Sequence, residues 1–389
     1  MSVVAIICEY NPFHNGHKFQ IETQKKENDS VIALMSGNFV QRGEPALCDK
    51  WKRAEMALAG GVDLVIELPV VYATQSAERF ARGAALLADS LGVVDYLSFG
   101  CECDNLALLY DAAKNVQKKE TNDKIAEFLK NGMSYPAART LASGDEYAKI
   151  LSEPNNILAI EYLKALSEIK SSIIPKPILR KGCAHDAKQP EGNFASASYI
   201  RNAVKNREVF DGFIPGTSAE ILNSADVFRD KKALDSVLTY LLRTMSQVQL
   251  AEIADMTEGL EYRFIDAAKN VCTFDDISSF VKTKRYTKTR IDRLLINVLL
   301  SIKKDDIGKK PGYIRILGFS EKGRQLLSDI KKKTNLPIIT KVADADLTGD
   351  AYEMFMKDIY ATDIYSMLTM KSENHKSGLD YVKSPIIKK

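Results

Sequence analysis

The chain has 389 residues, of which 45% are hydrophobic and 27% charged, with a formal net charge of +3. That length can bury a sizeable core and favours two domains over one. The opening MSVVAIICEY has no basic flank and is interrupted by Glu9, so it reads as neither a signal peptide nor a spanning helix, and no later apolar run reaches the roughly 20 residues a span needs. Six scattered cysteines (Cys8, Cys48, Cys101, Cys103, Cys183, Cys272) read as free thiols. The expectation is a soluble, cytoplasmic protein without a membrane partner.

The first apolar run, 3–8, predicts a strand. EYNPFHNGH ends it at Asn11-Pro12, because the residue before a proline is driven into extended or turn geometry, and a helix can begin near Asn15-Gly16. The unpaired amides and positive dipole end of a helix start favour phosphate. His14 and His17, three apart, share one side of that first turn, and Gly16 permits close approach of a ligand to the backbone. The same pair could serve a metal, with His185 and His375 as the only further histidines, or simply cap the helix.

Runs at 31–35, 63–68, 93–99 and 173–179 predict four more strands separated by amphipathic helices, hence a mainly parallel sheet wrapped by helices. Ligands in such sheets bind beyond the carboxyl ends of the strands, where strand order reverses. The loops to inspect are therefore the first one together with SGNFVQRGEP, LPVVYATQS and GCECDN. Ser36, Asn38, Gln41 and Arg42 are candidates to hold a ligand, with Gly37 and Gly43 shaping their loop. Cys101 and Cys103 have no second pair with which to complete a zinc site, and no metal is expected there. In FASASYIRNAV, Ser196 or Ser198 can cap a helix.

From about residue 206 helices replace strands and the charge segregates. Residues 206–280 hold 7 Lys/Arg against 13 Asp/Glu, whereas 281–341 hold 17 against 5. Clustered cations gain from counterion release on a polyanion; the alternative is a solvated helix face that binds nothing. In KTKRYTKTRIDRLL, Lys284, Arg285, Lys288 and Arg290 precede or open a helix whose apolar face is Ile291, Leu294, Leu295, Val298, Leu299 and Ile302. Cations at a helix start cost about a few tenths of a kcal/mol each. Arranged so, they form a phosphate site, with Tyr286 placed for stacking or a hydroxyl contact. Lys303, Lys304, Lys309, Lys310 and Lys331 to Lys333 would widen the footprint. A small mixed unit with strands in GYIRILGF and LPIITKV, then a loosely held tail SGLDYVKSPIIKK, is expected to close the chain.

Strand plus His-x-Gly-His resembles the first signature of the nucleotidyltransferase superfamily that includes class I aminoacyl-tRNA synthetases, and FASASYIRNAV resembles its second. EYNPFHNGH, MSGNFVQRGEPA, DLVIELP, PNNILAIEYLKAL and KRYTKTRIDRLL together resemble the bacterial tRNA(Met) cytidine acetate ligase family along nearly the whole chain. The resemblance implies an α/β fold, with a Rossmann-like parallel-sheet nucleotidyltransferase core over 1–205 and a mainly helical, basic tRNA-binding domain over 206–389. It implies an ATP-dependent ligase that forms acetyl-adenylate from acetate and acetylates the wobble cytidine of elongator tRNA(Met) to N4-acetylcytidine.

By the same resemblance His14, His17 and Arg201 are catalytic. The ATP site comprises Ile7, Cys8, Glu9, Tyr10, Asn11, Pro12, Phe13, His14, Asn15, Gly16, His17, Lys18, Phe19 and Gln20, with Gly100, Asn155 in preference to Asn156, Arg180, Ser196 and Ser198. Lys284, Arg285, Lys288 and Arg290 would bind tRNA. Mg2+ is expected with the triphosphate, held mostly by the nucleotide and water. The readings that compete with this one are a small-molecule adenylyltransferase or cytidylyltransferase of coenzyme metabolism and a non-catalytic RNA-binding protein. The basic block argues against the first, and the intact His14-Asn15-Gly16-His17 against the second.

Overall fold

A computed structural model of the chain describes residues 2–180, 189–224, 231–257, 259–369, 373 and 375–388; Cys183 and His185 lie outside the described residues. Val3–Cys8 forms β1, and its sequence VVAIIC is apolar throughout because the strand lies mid-sheet with partners on both sides. Along the chain follow α1 (Asn15–Lys25), β2 (Ser30–Ser36), α2 (Lys50–Ala59), β3 (Leu64–Leu68), α3 (Ala77–Ser90), β4 (Tyr96–Cys101), α4 (Pro154–Glu168), β5 (Ile174–Leu179) and α5 (Ala197–Asn206). Strands β3-β2-β1-β4-β5 are adjacent in that order and parallel. The order reverses at β1, so a crevice opens beyond the carboxyl ends of β1 and β4.

The segment after residue 206 is mainly helical and includes α6 (Lys288–Leu299), whose apolar face is buried as the spacing predicts. Two expectations for the end of the chain are corrected. GYIRILGF does not found a separate unit: it forms β6 (Ile314–Phe319), which pairs antiparallel with β3 in the main sheet, while β7 (Ile338–Ile339) lies beside β6. The sheet thus draws on both sides of residue 206. The tail is not loose either, because after α7 (Gly349–Ser366) it reaches β8 (Ile386–Ile387), which pairs with β6.

Between these elements lies a buried charge cluster. Lys50, with 0% of its surface exposed, pairs with Glu67 at 2.9 Å and with Asp380 at 2.9 Å. Arg315 on β6 reaches Asp380 at 3.4 Å. Asp380 belongs to the tail expected to be loosely held. A hydrophobicity reading sees isolated charged residues there; the fold sets Lys50 and Arg315 against Glu67 and Asp380, with Asp358 beside them, its carboxyl pushed up to about 8 by burial and by Glu67.

Candidate active site

The loop leaving β1 is built on its own side chains. Tyr10 adopts φ 47°, and Phe13 is wholly buried beneath the turn. His14 caps α1: its Nδ1 accepts the Gly16 amide at 3.0 Å, while His17 Nδ1 accepts the His14 amide at 3.3 Å. This is a capping box made of imidazoles. Because both Nδ1 atoms accept, each ring carries its proton on Nε2 and presents an N–H donor at its other end. The rings stack with centroids 3.6 Å apart.

Two details differ from the sequence reading. The first-turn amides expected to hold phosphate are partly engaged, by the histidines and by the His14 carbonyl, leaving imidazole N–H groups as the donors that can face a ligand. Gly16 has a further role, since a Cβ there would lie 2.9 Å from the His14 ring; it lets that ring fold back onto the helix.

Burial, His14 and Arg180 hold the His17 imidazole well below its ordinary value, so it is neutral. Unfolded, it would titrate near the usual ~6.5. Below that pH the unfolded chain binds more protons than the folded one, so this group's contribution to stability is lost as pH falls. Urea unfolding at pH 7.5 and 5.5 is expected to show a smaller acid-induced loss in His17→Gln than in the unsubstituted chain.

One cleft at the switch point, with a cavity volume of about 200 Å³, brings together Ile7, Cys8, Glu9, Tyr10, Asn11, His14, His17, Gln20, Gly100, Asn155, Arg180, Ser198 and Arg201. Gly16 and Phe19 line an adjoining hollow beside Phe194. Pro12, Phe13, Asn15 and Lys18 lie off both: Asn15 ties the loop to the Asn193 and Gly212 carbonyls, and Lys18 pairs with Glu22. The two serines divide the roles that the sequence left open. Ser196 is buried and caps α5 by accepting the Tyr199 amide, whereas Ser198 faces the cleft. Asn155 also faces it, with its amide on Glu102, while Asn156 is buried and accepts the Glu102 and Cys103 amides. Arg201 donates to the Asn11 carbonyl at 2.9 Å and pairs with Glu44 at 3.3 Å, so it already leans over the histidine loop.

Of the four candidates after β2, Gln41 and Arg42 line the cleft. Ser36 and Asn38 are buried; Asn38 bonds Thr362 and the Lys50 amide. Sequence reasoning missed the apolar end of the cleft, formed by Phe80, Phe99, Leu158 and Tyr162 from three separate elements. It also missed Arg53. This wholly buried guanidinium donates to the carbonyls of Cys48, Glu9, Ser36 and Gly37, tying the loops after β1 and β2 together. The sequence carries little signal for it, because Arg53 shares α2 with Lys50, Lys52 and Glu55, but once buried a guanidinium must find several acceptors. Among the described residues no group of three or more His, Cys, Asp or Glu is placed to hold a metal ion, and none of their helices is long and apolar enough to cross a membrane.

The comparisons with known proteins agree with this geometry. A family model described as HIGH Nucleotidyl Transferase matches residues 1–380. The tRNA(Met) cytidine acetate ligases of Thermoanaerobacter sp. (strain X514) and Acetivibrio thermocellus are 46% and 41% identical to this chain, each aligned over 100% of both sequences. The chain belongs to the tRNA(Met) cytidine acetate ligase family. Two crystal structures of Thermotoga maritima TmcAL superpose on it. The apo form has a TM-score of 0.93 at 36% identity, and the form bound with alpha-thio ATP has 0.91 at 35%; each comparison covers 100% of this chain and 99% of the other.

In this member of the ligase family the basic segment sits directly behind the cleft. Gly43, at φ 76°, lies so close to α6 that a Cβ would come within 2.3 Å of the Arg293 amide nitrogen. The loop carrying Gln41 and Arg42 therefore bears on the helix that the basic cluster opens. Lys284 is exposed and Arg285 partly so. Tyr286 is not free to stack on a base, because it is 7% exposed with the guanidinium carbons of Arg285 and Arg290 at 5.8 and 5.2 Å from its ring centre. Lys288 pairs with Asp292 at 3.2 Å and Asp275 at 3.6 Å, and Arg290 with Asp255 at 3.2 Å. These partners offset the charge expected at the helix start. The wider footprint contracts too, since Lys303 is held by Glu252 and Lys309 by Asp350 and Glu353.

Proposed function

We propose that this chain is an ATP-dependent acetate ligase that forms acetyl-adenylate with release of diphosphate, then transfers the acetyl group to N4 of the wobble cytidine of elongator tRNA(Met), releasing AMP. One observation carries this: a single cleft joins the His14 and His17 rings, each holding a backbone N–H on Nδ1, and two guanidinium groups, Arg180 and Arg201, to a loop that bears on the basic helix. Phosphoryl displacement needs placement and charge neutralisation more than a nucleophile from the chain. The imidazoles donate to phosphate oxygens, the arginines offset the charge that builds as acetate attacks the α-phosphorus, and Ser198 and Asn155 complete the wall. The relatives' names and the alpha-thio ATP complex of Thermotoga maritima TmcAL support the reading.

Mg2+ would accompany the triphosphate. The described residues of the cleft wall offer it no cage, because the one carboxylate among them, Glu9, accepts the Gln41 amide and lies beside Arg42 and Arg201. Phosphate oxygens and water would be its ligands. Residues 1–205 would supply the nucleotide site. Residues 206–389 would supply the tRNA surface, with Lys284 and Arg285 as its leading cations and Lys288 and Arg290 positioned beside them.

Incubation with ATP, labelled acetate and tRNA tests this, with an acetylated cytidine as the expected product. A phosphoester product from a small acceptor, or RNA retention without turnover, would sink it. Replacing both Lys284 and Arg285 with Ala should weaken tRNA binding about tenfold at moderate salt and lower the salt slope by about 2, since each lost phosphate contact removes about one unit. Acetate-dependent exchange of diphosphate into ATP without tRNA should persist in that variant.

A further inference from the structure

Transfer of the acetyl group needs something that nucleotide binding does not: a group to take the proton from the attacking cytosine amine. The N4 amine is weakly nucleophilic and becomes acidic only as the new C–N bond forms. A base within hydrogen-bond reach therefore contributes typically about 10²–10⁴-fold.

The cleft wall narrows the choice. His14 and His17 cannot accept a proton at Nδ1, which is occupied by a backbone N–H in each, and Nε2 already bears one. The Cys8 thiol and Tyr10 phenol are driven upward by burial and remain protonated. Arg42, Arg180 and Arg201 are cations. Among the described residues lining the cleft, Glu9 is the one carboxylate.

Its setting fits a base better than a phosphate ligand. Oε1 accepts the Gln41 amide at 2.9 Å, and Arg53 fixes the backbone by donating to the Glu9 carbonyl at 2.6 Å. A carboxylate facing a triphosphate would be repelled by it, so Glu9 marks a part of the cleft meant for something other than the phosphates. It lies on the side of the Gln41 to Glu44 loop, the loop that touches α6 and so adjoins the proposed tRNA surface. The groups facing it are Arg42 and Glu44 on that loop, Arg201 on α5, Tyr162 on α4, and Cys8 on its own strand. Burial raises its carboxyl above the ordinary range, which strengthens it as a base; the Gln41 amide, Arg201 and Arg42 oppose the rise.

We propose that Glu9 is the general base of the transfer step. The proposal rests on the ligase reading given above. The N4 lone pair of cytosine attacks the acetyl carbonyl carbon of acetyl-adenylate, and the C–N bond forms. The bond from that carbon to the phosphate oxygen breaks, and AMP leaves with the electron pair. The N4 proton passes to the Glu9 carboxylate and from there to water.

The test separates the two half-reactions in the full-length protein. Acetate-dependent diphosphate exchange measures adenylate formation, and single-turnover transfer from enzyme-bound acetyl-adenylate to a tRNA(Met) transcript measures the second step. Glu9→Gln retains the shape and an oxygen for the Gln41 amide but cannot take the proton. The ratio of transfer to adenylate formation is expected to fall at least about 100-fold, and Glu9→Asp should recover part of it.

In the unsubstituted protein the transfer rate should rise with pH through an acid limb above the ordinary carboxylate range, a measurement that does not depend on any variant folding. Equal loss of both half-reactions in Glu9→Gln, an unchanged ratio, or a transfer rate flat from pH 5 to 8 would each overturn the assignment. Absence of adenylate formation in the unsubstituted protein would instead overturn the ligase reading itself.

Discussion

His17→Ala is expected to lower acetate-dependent ATP–diphosphate exchange by about 10²–10³, the usual loss when one preorganised donor is removed from a developing anion. The side chain has two functions that a second substitution separates. It presents its Nε2–H to the cleft, and its Nδ1 accepts the His14 amide, so its loss also breaks the capping box and leaves that amide unpaired, at a cost of about 1 kcal/mol. The ring further packs on Tyr10 and Phe13, with centroids at 4.8 and 5.7 Å. His17→Gln can rebuild the capping box and offers an amide donor, so it should restore most of the stability and part of the exchange. Binding of tRNA should change less than about twofold in both variants. A tRNA affinity lost in parallel with exchange would show that the loop is structural first and catalytic second.

The second large effect lies about as far from the chemistry in sequence as the chain allows. Asp380→Ala is expected to cost about 3–5 kcal/mol in urea or thermal unfolding, because it strips a partner from Lys50 and Arg315 at a site with almost no solvent to replace it. Activity should survive below the unfolding temperature, since no member of the cluster lines the cleft. A cost below about 1 kcal/mol would mean that water reaches the cluster and that the tail is held by β8 alone. Asp380→Asn should fall between the two, as it keeps the volume but not the charge.

Much of the nucleotide end was legible in the linear sequence, for a local reason. The strand, the Asn11-Pro12 stop, the histidine cap and the α5 cap are each set by residues within a few positions of one another, and β1, α1 and α5 form where those signals place them. The alternation of strand and helix pointed to a parallel sheet and so to the loops after its strands; of those, the loops after β1 and β2 and Gly100 at the end of β4 meet in the cleft, whereas LPVVYATQS does not line it, and the reversal of order at β1 is seen only in the fold. Even the preference for Asn155 over Asn156 agrees with which side chain faces the cleft.

What could not be read are the meetings of distant segments. Phe80, Phe99, Leu158 and Tyr162 look like ordinary core residues until three elements converge on one wall. Arg53 shows as a charge in a helix, and only the approach of two loops reveals four carbonyls around it. Lys288 and Arg290 counted as positive charge because two of their acidic partners, Asp275 on a neighbouring helix and Asp255 in a turn, are distant in the sequence.

The sequence by itself determined that strands alternate with helices in the first half, that the first strand stops at Asn11-Pro12 with a helix starting at Asn15, and that the basic residues are segregated, because backbone stops and periodicity act over a few residues; the nucleotide site was read from a family resemblance. Only the tertiary structure decided that the tail joins the first sheet, that half of the basic cluster is already neutralised, and that Glu9 faces the loop adjoining the basic helix. Those outcomes depend on which groups lose water together, and desolvation is a property of contacts between segments that the linear order does not contain.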